Sequence, residues 1–157
     1  MPGHSKIWIY QANRALTATE SEYLIKGLQD LCEQWSAHGA PLRTSFVLKY
    51  NRFAVLAVDE GASGCSIDAS VRFLKSLQAK LGIDFFDRTQ VTFLQDGAVV
   101  SYPMMELKVL FESQKLGRDT IVFNNVAGTK DEWIRGWQVT AGESWLSRHL
   151  PKSAVAN

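Results

Sequence analysis

Cys65 is the residue of this 157-residue chain whose surroundings most resemble a reactive centre. It follows Asp59-Glu60-Gly61-Ala62-Ser63-Gly64 and precedes Ser66-Ile67-Asp68, where an amphipathic stretch begins. A thiol at the start of a helix faces unpaired backbone N–H groups and the positive end of the helix dipole, and both favour the thiolate. Asp68 in the same helical turn, with Asp59 and Glu60 ahead of the loop, acts the other way, because nearby negative charge raises a thiol pKa. A cysteine nucleophile also needs a base. His38, the only histidine away from the two termini, falls at the far end of the first helix. Cys65 is therefore either an activated thiol assisted by Asp68, Asp59 or Glu60, or a small residue packed at a helix entry, and packing is the expectation.

The same loop has two other chemical possibilities. Its small residues, Ser63 and Gly64 with Ser66 beyond, would let backbone N–H groups approach an anion, but the flanking carboxylates would repel one. Asp59, Glu60 and Asp68 could instead hold a hard cation through oxygen; the expectation is no metal, with Asp68 complementing the helix dipole. A phosphate loop requires Gly, four residues, then Gly-Lys and Ser or Thr. The nearest run, Gly128-Thr129-Lys130, has Phe123 at the leading position and a threonine between glycine and lysine. No serine stands in a Gly-x-Ser-x-Gly elbow. Tryptophan offers the remaining candidates, since it is enriched where proteins bind partners. Trp133 and Trp137 are four apart and would share a face if helical, whereas clamping of the C-terminal segment by Trp133, Trp137 and Trp145 is the plainer role.

The elements that must position these residues follow from periodicity. Ile7-Trp8-Ile9-Tyr10 reads as a strand, and Thr17-x-x-Glu20 is a capping box for a helix with Leu24, Leu28, Leu31 and Trp35 on one face. Gly39 and Pro41 end it near His38. Thr44 to Tyr50 and Phe53 to Val58 make a hairpin; the first arm alternates like an edge strand and the second is apolar throughout, like a buried central one. A second helix carries Ile67, Val71, Leu74, Leu77 and Leu81 inward and stops at Gly82. Gln90 to Leu94 and Ala98 to Tyr102 form another hairpin around Asp96-Gly97, a pair that tolerates the positive φ of tight turns.

Strand, helix, strand, strand, helix, strand is the order of an α+β ferredoxin-like βαββαβ core, with the first and third strands central. Residues 1–102 are assigned to that core, with an added hairpin strand. Residues 103–157 form a C-terminal helix and strand extension packed on it, so a single domain is expected. The third helix starts at Pro103 and buries Leu107, Leu110 and Phe111, and Thr120 to Val126 reads as a further strand.

Composition narrows the function. A net charge of +1 with scattered lysines and arginines excludes a dedicated nucleic-acid surface. No apolar run approaches the roughly 18 residues of a membrane span, and no signal-peptide core follows Met1, so a cytoplasmic location is expected. The two cysteines, Cys32 and Cys65, lie far apart and are expected as thiols.

Several motifs resemble a family of small bacterial proteins common in the Bacteroidetes. They are Trp8-Ile9-Tyr10-Gln11-Ala12-Asn13-Arg14, Ala57-Val58-Asp59-Glu60, Ser63-Gly64-Cys65-Ser66-Ile67-Asp68, Asp84-Phe85-Phe86 and Val122-Phe123-Asn124-Asn125. Members carry the label "ABC transporter ATPase", yet this chain has neither a phosphate loop nor a Leu-Ser-Gly-Gly-Gln segment. The resemblance thus implies a bacterial cytoplasmic protein and adds no catalytic residue. A shorter run, Met105-Glu106-Leu107-Lys108, Lys115-Leu116 and Asp119-Thr120-Ile121-Val122, is similar to the helix-to-strand portion of GYF-type modules. That similarity implies binding of proline-rich peptides through an aromatic groove.

The expectation that results is a non-catalytic module that binds a protein or small ligand without a cofactor. The alternative is a thiol-dependent enzyme or redox sensor built on Cys65. A homodimer through the half-exposed strand from Thr44 to Tyr50 is a further expectation.

Overall fold

The elements of the computed structural model begin where caps and apolar spacing place them. It describes residues 3–37, 44–58 and 64–150, without the side chains of residues 35–37 and 64–67. The chain divides into two compact units, Met1–Asp87 with Val126–Ile134, and Arg88–Asn125 with Arg135–Asn157.

In the first unit, β1 (Lys6–Gln11) leads to α1 (Ala18–Ala37). The Glu20 N–H donates to Thr17 Oγ1 at 3.2 Å and the Thr17 N–H to Glu20 Oε1 at 2.9 Å, which satisfies two helix-end donors reciprocally. β2 (Thr44–Lys49) and β3 (Phe53–Val58) follow, joined by a turn in which Tyr50 and Asn51 take φ of 56° and 51°. α2 (Gly64–Leu81) closes with Gly82 at φ 67°, a conformation that costs glycine little, and the next residue, Ile83, is buried.

The sheet order is β1-β3-β2, with antiparallel neighbours. Strand alternation sorts its side chains. Trp8, Leu56 and Phe46 lie in one row and Tyr10, Ala54 and Leu48 in another; these pack with Leu24, Leu28 and Leu31 of α1 and Leu74 and Leu77 of α2 into the core. Ile7, Ala57 and Ser45, and then Ile9, Val55 and Val47, fall on the other face. β2 is an outer strand, as its alternation indicates. β1 is outer as well, which corrects its expected central place. Beyond it the chain returns: the Ile7 N–H donates to Gly128 O at 3.1 Å, and Lys6 bridges Thr129.

In the second unit, β4 (Gln90–Gln95) and β5 (Ala98–Pro103) are joined by Asp96-Gly97 at φ 52° and 79°. A 3₁₀ turn, Met104–Glu106, leads into α3 (Leu107–Glu112). After β6 (Ile121–Phe123), α4 (Lys130–Gly136) leads to β7 (Gln138–Thr140). The order is β5-β4-β6-β7, antiparallel, over a core of Val91, Phe93, Leu107, Phe111, Leu116, Val122 and Leu146.

The protein is thus α+β with two antiparallel sheets, and it departs from the ferredoxin-like arrangement at the fourth strand. A strand has two edges. Those of β4 are taken by its hairpin partner β5 and by β6, so β4 does not extend the β1-β3-β2 sheet. No helix of the described residues is long and apolar enough to cross a membrane.

Candidate functional site

The first unit has a cleft of about 150 Å³, lined by Ile7, Ser45, Phe46, Val47, Val55, Ala57, Lys130 and Trp133. Ile7, Ala57 and Ser45 are direct cross-strand neighbours, so the cleft lies over the sheet face turned away from α1 and α2. It sits at the end of the sheet from which β3 hands the chain on towards α2.

Trp133 and Lys130 come from α4, three residues apart, and so share a side of that helix. The start of α4 is fixed by its own sequence. The Glu132 N–H donates to Thr129 Oγ1 at 3.2 Å, and the Glu132 carboxylate accepts from the Gly128 N–H at 2.8 Å, a variant of the capping box. Tertiary bonds hold it as well: the Lys130 N–H donates to Ser5 O and the Asp131 N–H to Gly3 O, both at 2.9 Å. Two lining residues thus stand on a doubly anchored helix start and six on the ordered strands. Apolar walls with few polar groups are the usual make-up of a small-molecule site.

The loop singled out by chemistry falls differently. Asp59, Glu60 and Ser63 lie outside the described residues. Gly64, Cys65 and Ser66 form the first turn of α2, with the side chains of Cys65 and Ser66 outside the description, and Asp68 is exposed on the following turn. Cys32 is in the thiol form and half-buried in α1; burial pushes its pKa up, against a hydrogen bond with Thr44. It is not a ready nucleophile.

The tryptophans separate. Trp133 lines the cleft of the first unit, whereas Trp137 follows the end of α4 and belongs to the second. Trp137 is only 5% exposed, donates from Nε1 to Asn125 Oδ1 at 2.9 Å, and packs against Phe123 with ring centroids 4.9 Å apart. With α4 ending at Gly136, Trp137 lies outside the helix that carries Trp133. Trp145, 43% exposed, has the Arg148 guanidinium 5.3 Å from its ring centre. His149 stacks on Phe111 at 6.2 Å, and its pKa is lowered by burial and then by Arg148.

The motifs that carried the Bacteroidetes resemblance prove to be architectural in part. Asn13 Oδ1 accepts from the Asp84 N–H at 3.0 Å, and Asn13 N–H donates to Asp84 O at 2.8 Å. Arg14 donates to Leu81 O at 3.0 Å, and the buried Arg52 donates to Ala12 O and Asn13 O at 3.1 and 3.2 Å. These bonds tie the segment after β1 to the β2–β3 turn and to the end of α2.

Sequence reasoning missed Lys130, Ser45 and the apolar walls as parts of a site. One signal was present: Thr129-x-x-Glu132 has the form of a capping box and marks the helix that carries Lys130 and Trp133. The partners of that helix lie more than a hundred residues earlier in the chain, at Gly3 and Ser5, and leave no local mark. Comparison of the chain with protein-family models, with curated proteins and with solved structures finds no match.

Proposed function

We propose that this protein is a non-catalytic binding module and that the cleft beside Trp133 is where it takes a small ligand. The observation that carries this is the composition and support of the cleft. An indole and apolar strand residues line a half-open space of about 150 Å³, with Ser45 and Lys130 as polar members of the lining, and the helix that completes it is fixed at both its cap and its backbone. A pre-formed site of this kind avoids much of the ordering cost that weakens small-ligand binding. An apolar cavity of roughly 150 Å³ accommodates benzene, while sites for larger ligands run to about 300–1,000 Å³. The fit is to a compact molecule of single-ring size rather than to a nucleotide.

Ala57→Phe, which places a ring in the cleft from the sheet floor, tests the proposal. Saturation-transfer NMR with a library of single-ring and branched aliphatic fragments is expected to give binders for the wild type that the variant loses, with the variant's melting curve showing that it still folds. Equal binding by both proteins would remove the cleft from consideration.

A further inference from the structure

The two margins of the β1-β3-β2 sheet are not alike. β1 is met on its outer side by the returning chain, where the Ile7 N–H donates to Gly128 O at 3.1 Å. β2 has no fully buried residue, whereas β3 is buried almost throughout. We infer that β2 is the edge through which two copies of this chain associate, antiparallel about a twofold axis at Phe46, so that their two sheets become one. The association goes beyond ligand binding at the cleft and does not depend on it.

Backbone alternation identifies the groups that pair. Successive residues of a strand aim their N–H and C=O to opposite sides, and antiparallel neighbours exchange both bonds at every second pair. Ile7 aims outward, to Gly128, so Lys6, Trp8 and Tyr10 face β3 and bond with Val58, Leu56 and Ala54. Phe53, Val55 and Ala57 therefore face β2, where they meet Lys49, Val47 and Ser45. The turn bond from the Arg52 N–H to Lys49 O, at 3.0 Å, agrees with this. Thr44, Phe46 and Leu48 are left with their N–H and C=O groups on the outer side, and among the described residues no backbone group bonds them there.

An open edge of this kind accepts another extended strand. Its composition favours a copy of itself. Residues 44–48 carry no charge and no proline, and the β2–β3 register runs without a bulge, so the usual obstacles to self-pairing are missing. With Phe46 opposite Phe46 of the partner subunit, Thr44 falls opposite Leu48 of the partner subunit, and every outward group of both strands is bonded. The two phenylalanines then form an aromatic cross-strand pair that continues the row of Trp8 and Leu56. On the other face Val47 of the partner subunit stands beside Ser45 and extends the floor of the cleft.

The experiment follows wild type and Leu48→Pro by sedimentation equilibrium from micromolar to near-millimolar concentration, with amide hydrogen exchange read at both ends of that range. Proline is tolerated on an edge strand where its nitrogen faces away from the ladder, so Leu48→Pro removes an outward donor and keeps the β2–β3 bonds. A melting curve checks that it folds. Wild type is expected to approach twice the 17.6 kDa chain mass, and Leu48→Pro to remain at the chain mass. In the wild type the amides of Thr44, Phe46 and Leu48 should exchange about tenfold more slowly at the high concentration, with those of Ser45, Val47 and Lys49 protected at both. This dilution series needs no variant, so the test stands even if Leu48→Pro fails to fold. A monomer at every concentration, a dimer whose three outward amides exchange freely, or a dimer that Leu48→Pro retains would overturn the proposal. Protection of those three amides in the monomer would overturn it as well, and would mean that another part of the chain occupies the edge.

Discussion

Arg14 and Glu20 face each other as a two-pronged ion pair, Nη1 to Oε1 and Nη2 to Oε2, each at 2.7 Å. Glu20 also closes the cap of α1, and Arg14 also donates to the Leu81 carbonyl at the end of α2. One surface pair therefore joins a helix start, a loop and a second helix end.

This pair sets an acid limit on the fold. Hydrogen bonds from Arg14, and next from the Thr17 backbone, hold the Glu20 carboxyl at about 2, below its ordinary 4.5. A carboxyl with a lowered folded-state pKa binds its proton more tightly in the unfolded chain. Its stabilisation is present above the unfolded value and is lost as pH falls from about 4.5 towards 2. Thermal melts of wild type and Glu20→Gln between pH 7 and pH 2 should show the wild type more stable at neutral pH and the gap closing across that window. A gap independent of pH would mean that the carboxylate charge is not what matters.

Gly27 marks where α1 and α2 approach, because a Cβ there would overlap the ring of Phe73. Alanine is the better helix former by about 1 kcal/mol, so propensity alone makes Gly27→Ala stabilising. Overpacking costs about 1–3 kcal/mol, and a net loss of about 1 kcal/mol is expected by urea denaturation. In a Phe73→Ala background the sign should reverse, with alanine at position 27 now stabilising. Additive effects in the double variant would show that the two positions do not meet.

Trp137 anchors the turn into β7. Trp137→Phe keeps most of the ring packing on Phe123 and removes the hydrogen bond to Asn125, which should cost about 1 kcal/mol. Trp137→Ala should cost about 3–5 kcal/mol. Neither should change fragment binding at the cleft, since the described residues that line it all belong to the other unit. A binding defect in Trp137→Phe with an unchanged denaturation midpoint would give Trp137 a direct role in recognition.

Cys65→Ser separates binding from thiol chemistry. The described residues that line the cleft come from β1, β2, β3 and α4, so serine at position 65 is expected to leave fragment binding there at wild-type affinity. Alkylation of Cys65 across pH 5 to 9, with the serine variant as blank, should be absent in the folded protein, as for a packed thiol, with no rate that saturates below the ordinary thiol pKa of about 8.5. Saturation of the rate well below that pH would indicate an activated thiolate and revive the enzyme alternative.

Local chemistry was legible in the residues. The pairs Thr17 with Glu20 and Asp96 with Gly97, the left-handed Gly82, and the stripe Leu24, Leu28, Leu31 each depend on groups a few positions apart, and each appears as read. Caps, turns and helical faces are decided within one or two turns of backbone, where sequence spacing and spatial distance are nearly the same.

The partner of β4 was not legible, nor was the return of residues 128–131 to Gly3, Ser5 and Ile7, which sets the helix of Lys130 and Trp133 over the sheet. A strand such as Gln90 to Leu94 has two hydrogen-bonding edges that any antiparallel neighbour can satisfy, and its residue pattern shows which face is apolar without saying which strand lies alongside. Competition among distant edges selects that neighbour, and the same competition separates Trp133 from Trp137, four positions apart, into a cleft wall and a buried anchor. Residue spacing identifies the elements up to β6 and their apolar faces but not α4 and β7, and which elements meet is settled only in the folded protein, because that choice is made between groups remote along the chain.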